Sequence, residues 1–134
     1  MTHELVGEAT RAVSTAEARQ LDLPAGSAAS CRRGLLWADI DGVATRIASV
    51  NALVVRSRLR ASVLDELSRG VPLGMSLQQV GVRRHTAEPT YVEHVDEAGN
   101  AVVSVHLRST LLVEGCPVAV TAEVIEQCVI ECRA

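Results

Sequence analysis

The chain has 134 residues, of which 48% are hydrophobic and 22% charged, with a net charge of -3; this is the size of a single domain covering 1–134, long enough to bury roughly two thirds of the surface its unfolded form exposes. No apolar run approaches the roughly 20 residues that span a bilayer, and the opening MTHELVGEATRAV has neither the basic flank nor the apolar stretch of a signal peptide, so a cytoplasmic protein with no membrane partner is expected. The 13 basic residues are all arginine and the only aromatic residues are Trp37 and Tyr91, which excludes Schiff-base chemistry and a phosphate loop of the GK[ST] kind and gives no stacking platform for nucleic acid.

In chain order, a strand is compatible with the first dozen residues. STAE at 14–17 then forms a capping box, Ser14 taking a first-turn N–H and Glu17 reaching back, and starts a short helix that runs to about Leu21. Pro24 and Gly26 stop it. AASCRRGLLW reads as a strand entering a hairpin at ADIDG, with VATRIASVNALVV returning. ASVLDELSRG puts Val63, Leu64 and Leu67 at helical spacing with Gly70 placed to end the helix in the left-handed conformation. A second short helix or turn follows in PLGMSLQQVG. From Val82 onward the pattern is β: VRRHT, TYVEHV, the turn DEAGN, AVVSVHLRSTLLV, the turn EGC, and PVAVTAEVIEQCVIEC. Short Gly turns between strands predict an antiparallel meander.

The four cysteines, Cys31, Cys116, Cys128 and Cys132, show no CxxC spacing and read as reduced apolar fillers. The four histidines lack metal-ligand spacing. Neither a metal nor an organic cofactor is expected.

LPAGS, a strand carrying Arg33, a Gly hairpin, a strand ending NALVVRSRLR, a helix, PLG, and LRSTLLVEGCPVAVT, in that order from about Ser14 to Ile125, resemble the chorismate pyruvate-lyase superfamily, which includes the UTRA ligand-binding domains of transcription regulators. The resemblance implies an α+β fold: an antiparallel β-sheet with a few short helices on one face, enclosing a small-molecule pocket.

It also implies a set of site residues. The family binds a carboxylate with an arginine on the strand before the first hairpin, and Arg33 is the match; Arg32, its neighbour, points to the other face of a strand. A guanidinium suits the task because its planar fork pairs both carboxylate oxygens. Asn51 occupies the polar position of the returning strand, Leu73 in PLG is a pocket wall, and Arg108 is a further anion contact. The family's last strand carries a Thr followed directly by a Glu that handles the hydroxyl end of the substrate. Here Thr121 is followed by Ala122, and Glu123 comes one place late. On a regular strand Val118, Val120, Ala122, Val124 and Glu126 share the pocket face while Thr121 and Glu123 turn away; a bulge around Thr121 and Ala122 restores Glu123. With Glu123 inward it is the candidate catalytic acid.

Two functions follow. The favoured one is a chorismate lyase-like enzyme eliminating or rearranging a small carboxylated or enolic metabolite, as in aromatic or secondary metabolism. The alternative is a non-catalytic, UTRA-like small-molecule-binding module. A homodimer is compatible with either.

Overall fold

The computed structural model describes residues 2–126. Its elements run β1 (Thr2–Ala12), α1 (Thr15–Leu21), β2 (Ala28–Ile40), β3 (Val43–Val54), a 3-10 turn at Arg56–Arg58, α2 (Ala61–Ser68), α3 (Leu73–Gln78), β4 (Val82–Thr86), β5 (Thr90–Val95), β6 (Ala101–Val113) and β7 (Cys116–Ile125).

Local chemistry accounts for the starts and stops. At α1 both halves of the capping box form: Ser14 Oγ accepts from the Glu17 N–H at 3.2 Å and Glu17 Oε1 accepts from the Ser14 N–H at 2.8 Å. α2 is followed by Gly70 at φ +82°. The β2–β3 hairpin turns on Asp41 and Gly42 (φ 51° and 79°) and the β6–β7 hairpin on Glu114 and Gly115 (φ 52° and 78°). Two successive left-handed residues give the turn whose twist matches that of the flanking strands, and glycine takes the second position at no steric cost.

Every strand pair is antiparallel. The order is β1-β2-β3-β7-β6, with β4 and β5 both against β6, β4 along Ser109–Val113 and β5 along Ala101–His106. This corrects the meander expectation in two respects, the first being that β4 pairs with β6 and not with β5, the next strand in the chain. Second, β1-β2-β3 and β5-β6-β7 are each local, but they are joined by the long-range pairing of β3 with β7, which turn signals do not encode.

The sheet buries both faces. Ala52 and Val54 of β3 pack with Val63 and Leu67 of α2 and with Leu73 and Leu77 of α3. The intervening Leu53, with Val55, packs with Ala18 and Leu21 of α1. Alternation along one strand therefore feeds two cores. The α+β class is as expected, while the helices divide between the two faces instead of sharing one. Leu21, Val63 and Leu77 are fully buried, each contributing roughly 1.5–3 kcal/mol of transfer free energy. No helix among the described residues is long and apolar enough to cross a membrane.

Candidate functional site

Residues paired across antiparallel strands project to the same face, so the register lays out the α2/α3 face in rows. One row is Gly34, Val50 and Glu123; the next is Arg32, Ala52, Thr121 and Ser109; a third ends in Leu111, beside which β4 sets Arg84. Pro72 and the first turn of α3, Leu73 to Met75, lie over these rows and border a cavity of about 180 Å³. Its apolar walls include Leu36, Val50, Leu73 and Leu111, and its polar groups are His3, Arg84, Thr121 and Glu123.

Arg84 Nη1 donates to Glu123 Oε1 at 3.3 Å, with the two side chains 44% and 25% exposed. At that exposure the pair contributes about 0–1 kcal/mol, so a ligand can part it cheaply. Thr121 differs: its Oγ1 is buried and has no partner among the described residues. An unpaired buried hydroxyl costs about 1–3 kcal/mol, which a ligand atom bonding to it would recover. His3 has its pKa lowered by burial first and by the positive charge of Arg32 second, so it enters the cavity as a neutral imidazole at neutral pH.

The residues expected to form one pocket are distributed over both faces of the sheet. Leu73 and Glu123 line this cavity. Arg33, Asn51, Ala122 and Arg108 form a row on the opposite, α1 face. Asn51 and Arg108 there line a separate cavity of about 110 Å³ with Arg11 and Glu17, and Arg33 is exposed. Arg32 is the inward arginine, only 5% exposed, but its guanidinium is already engaged: it donates to Glu8 Oε2 at 2.7 Å, the Leu67 carbonyl at 3.2 Å and the Val71 carbonyl at 3.0 Å. It ties β1 to the end of α2.

The bulge expected at Thr121 and Ala122 lies three residues earlier. Leu111 pairs with Ala119 but Leu112 with Pro117, leaving Val118 as the extra residue, and Val118 packs beside Ala119 in the α2/α3 core. From Ala119 on, β7 is regular against β3. One inserted residue exchanges the faces, so Thr121 and Glu123 point toward α2 and α3 while Val120 and Ala122 line the α1-side cavity. Glu126 sits at the far end of β7, 3.5 Å from Arg46, away from this cavity. His3 and Arg84 had no role in the sequence reading, and Thr121 was expected to turn away on a regular strand; the register set by the bulge at Val118 brings Thr121 inward, while the pairings of β1 with β2 and of β4 with β6 place His3 and Arg84.

No group of three or more potential metal ligands occurs among the described residues. Cys31 packs against the α1 core and Cys116 is exposed; Cys128 and Cys132 lie outside the described residues.

A seven-stranded antiparallel sheet with few helices is the UTRA/chorismate lyase-like fold. Among solved structures, a GntR-family transcriptional regulator from Enterococcus faecalis V583 superposes with a TM-score of 0.61 at 14% identity, over 93% of each chain. The ligand-binding domain of a regulator assigned to the GntR family from Bordetella bronchiseptica gives 0.65 at 16% identity, over 92% of this chain and 83% of its own. PhnF from Mycobacterium smegmatis gives 0.63 at 13%, over 92% of this chain and 57% of its own. No protein-family model matches the chain, and no curated protein matches it in sequence. The expectation of a lyase is corrected by these neighbours, which are regulators and their ligand-binding domains.

Proposed function

We propose that the chain is a non-catalytic ligand-binding module that takes a small organic acid in the cavity between the sheet and α3. The observation that carries this reading is a cavity that presents Arg84 and Glu123 and has in its wall Thr121, whose buried hydroxyl has no partner among the described residues. The fold shared with regulator ligand-binding domains supports it. In this reading the ligand carboxylate exchanges for Glu123 on the Arg84 guanidinium, whose fork matches it, Leu73 and Val50 enclose the apolar body, and Thr121 bonds a polar substituent. Glu123 then serves as the internal anion that the ligand displaces.

Calorimetry with benzoate and its 3- and 4-hydroxy derivatives tests it. Binding is expected, and Arg84→Met should weaken it by about tenfold to a hundredfold, the scale of hydrogen bonds to a charged group. Absence of binding by the wild-type protein, or binding indifferent to Arg84→Met, overturns the proposal.

A further inference from the structure

Gly34 lies in the middle of β2, and its φ is not among the positive values that favour glycine. Its backbone conformation is therefore open to any residue, and a glycine inside a strand costs roughly 0.5–1 kcal/mol relative to alanine. What a side chain here would displace is His3: a Cβ on Gly34 would lie 2.6 Å from His3 Nε2, at the tip of the ring. By contrast, Gly7, on the neighbouring strand, has open space where its Cβ would be. His3 pairs with Leu36, two residues along from Gly34 on the same face, and the missing side chain leaves the gap through which the imidazole of the edge strand reaches into the cavity beside Val50 and Glu123.

We infer that His3 is a ligand-contacting residue that selects for a hydroxyl group on the bound acid, and that Gly34 is the residue that lets it reach the ligand. The inference rests on the ligand-binding reading above and adds the ligand's second recognition element. Arg84 can only donate hydrogen bonds and a carboxylate only accepts them, whereas an imidazole and the Thr121 hydroxyl can each do both. A ligand hydroxyl, which donates and accepts at once, fits these two groups. The charged groups facing the ring are Arg32, Arg84 and Glu123; the α3 segment over the cavity, Pro72 to Met75, brings no titratable group. Burial and Arg32 both lower the His3 pKa, so with the assay run above the ordinary imidazole value of about 6.5 the ring is predominantly uncharged and does not act as a second carboxylate anchor.

The test compares benzoate with 3- and 4-hydroxybenzoate by calorimetry in the wild type, His3→Ala, Gly34→Ala and the double variant. One hydroxybenzoate should bind the wild type about tenfold more tightly than benzoate, the worth of one well-placed hydrogen bond. Each single variant should lower that preference to about threefold or less; a change in cavity shape that affects both acids alike cancels in this ratio. Because Gly34→Ala acts by displacing His3, it should have no effect in the His3→Ala background. A wild type that binds the acids without preferring a hydroxyl, a preference that survives both single variants, or additive effects in the double variant overturns the inference and leaves the ligand-binding reading standing. A wild type that binds none of the acids overturns that reading, and the inference with it.

Discussion

Arg32 and Arg33 are adjacent in sequence and opposite in situation, and replacing each by methionine separates a structural arginine from a solvated one. Methionine keeps the length of the apolar stem, so packing changes little in either variant. At Arg32 the change removes three charge-assisted hydrogen bonds. The Leu67 carbonyl is bonded to a guanidinium that is almost fully buried; it keeps the Gly70 N–H at 3.1 Å and is not left unsatisfied, so the loss is that of a hydrogen bond to a charged group, about 1.5–3 kcal/mol. The Val71 carbonyl is part-buried and loses less. Glu8 is about one-third exposed and keeps Arg56 at 3.3 Å, so it does not suffer the full penalty of an unpaired buried charge. Together these give roughly 2–4 kcal/mol of destabilisation for Arg32→Met. Arg33 is exposed and has no hydrogen bond or ion pair among the described residues, so Arg33→Met should stay within about 0.5 kcal/mol. Urea unfolding followed by the fluorescence of Trp37 reads the difference as a fall of about 1–2 M in midpoint at constant m for Arg32→Met alone. A loss under about 1 kcal/mol at Arg32, or an equal loss at Arg33, would refute the assignment of Arg32 as the tie between β1 and α2.

The remaining predictions concern acid stability and chemistry. The Glu17 carboxylate accepts two hydrogen bonds from Arg11, at 2.8 and 2.7 Å, which with the Ser14 N–H lower its pKa from 4.5 to about 2. A carboxyl with a depressed folded pKa contributes stability that is complete above its unfolded value and is lost as the pH falls toward the folded one. Glu17→Gln should therefore flatten the pH dependence of stability between 4.5 and about 2; a slope identical to the wild type's would show that the pair contributes nothing. Incubation with chorismate should release no pyruvate above the buffer rate. Release abolished by Glu123→Gln would return the chain to the lyases.

Features determined by nearby residues were legible in the sequence. The Ser14–Glu17 capping box, the Asp41–Gly42 and Glu114–Gly115 turns and the Gly70 stop each depend on a few adjacent positions, and each is where the residue types put it. β1 was legible only as a compatible segment: almost every residue of it is exposed, so it has no alternation of buried and solvated positions to read. The junction of the two local meanders was not legible at all. β3 and β7 pair across some 60 intervening residues, and a contact at that separation is decided by which buried faces match, not by any turn.

The site was harder to read than the fold for a reason that one residue makes plain. Face assignment on a strand is a parity argument, and parity is counted from an origin. Counted from the Glu114–Gly115 turn without interruption, Ala122 and Val120 fall on the pocket face; counted past an unpaired Val118, Thr121 and Glu123 do. Nothing in VAVTAE marks the insertion, because Val118 is as apolar as its neighbours and is buried in the same core as Ala119. The same parity separated Arg33, Asn51 and Arg108 from Glu123: these three share one cross-strand row with Ala122, so placing any one of them on the α1 face placed them all there. A bulge therefore acts on the whole cross-strand row at once. By turning Thr121 and Glu123 inward together it supplies both the unpaired hydroxyl and the carboxylate that meets Arg84, and Ala122 between them faces the other side of the sheet.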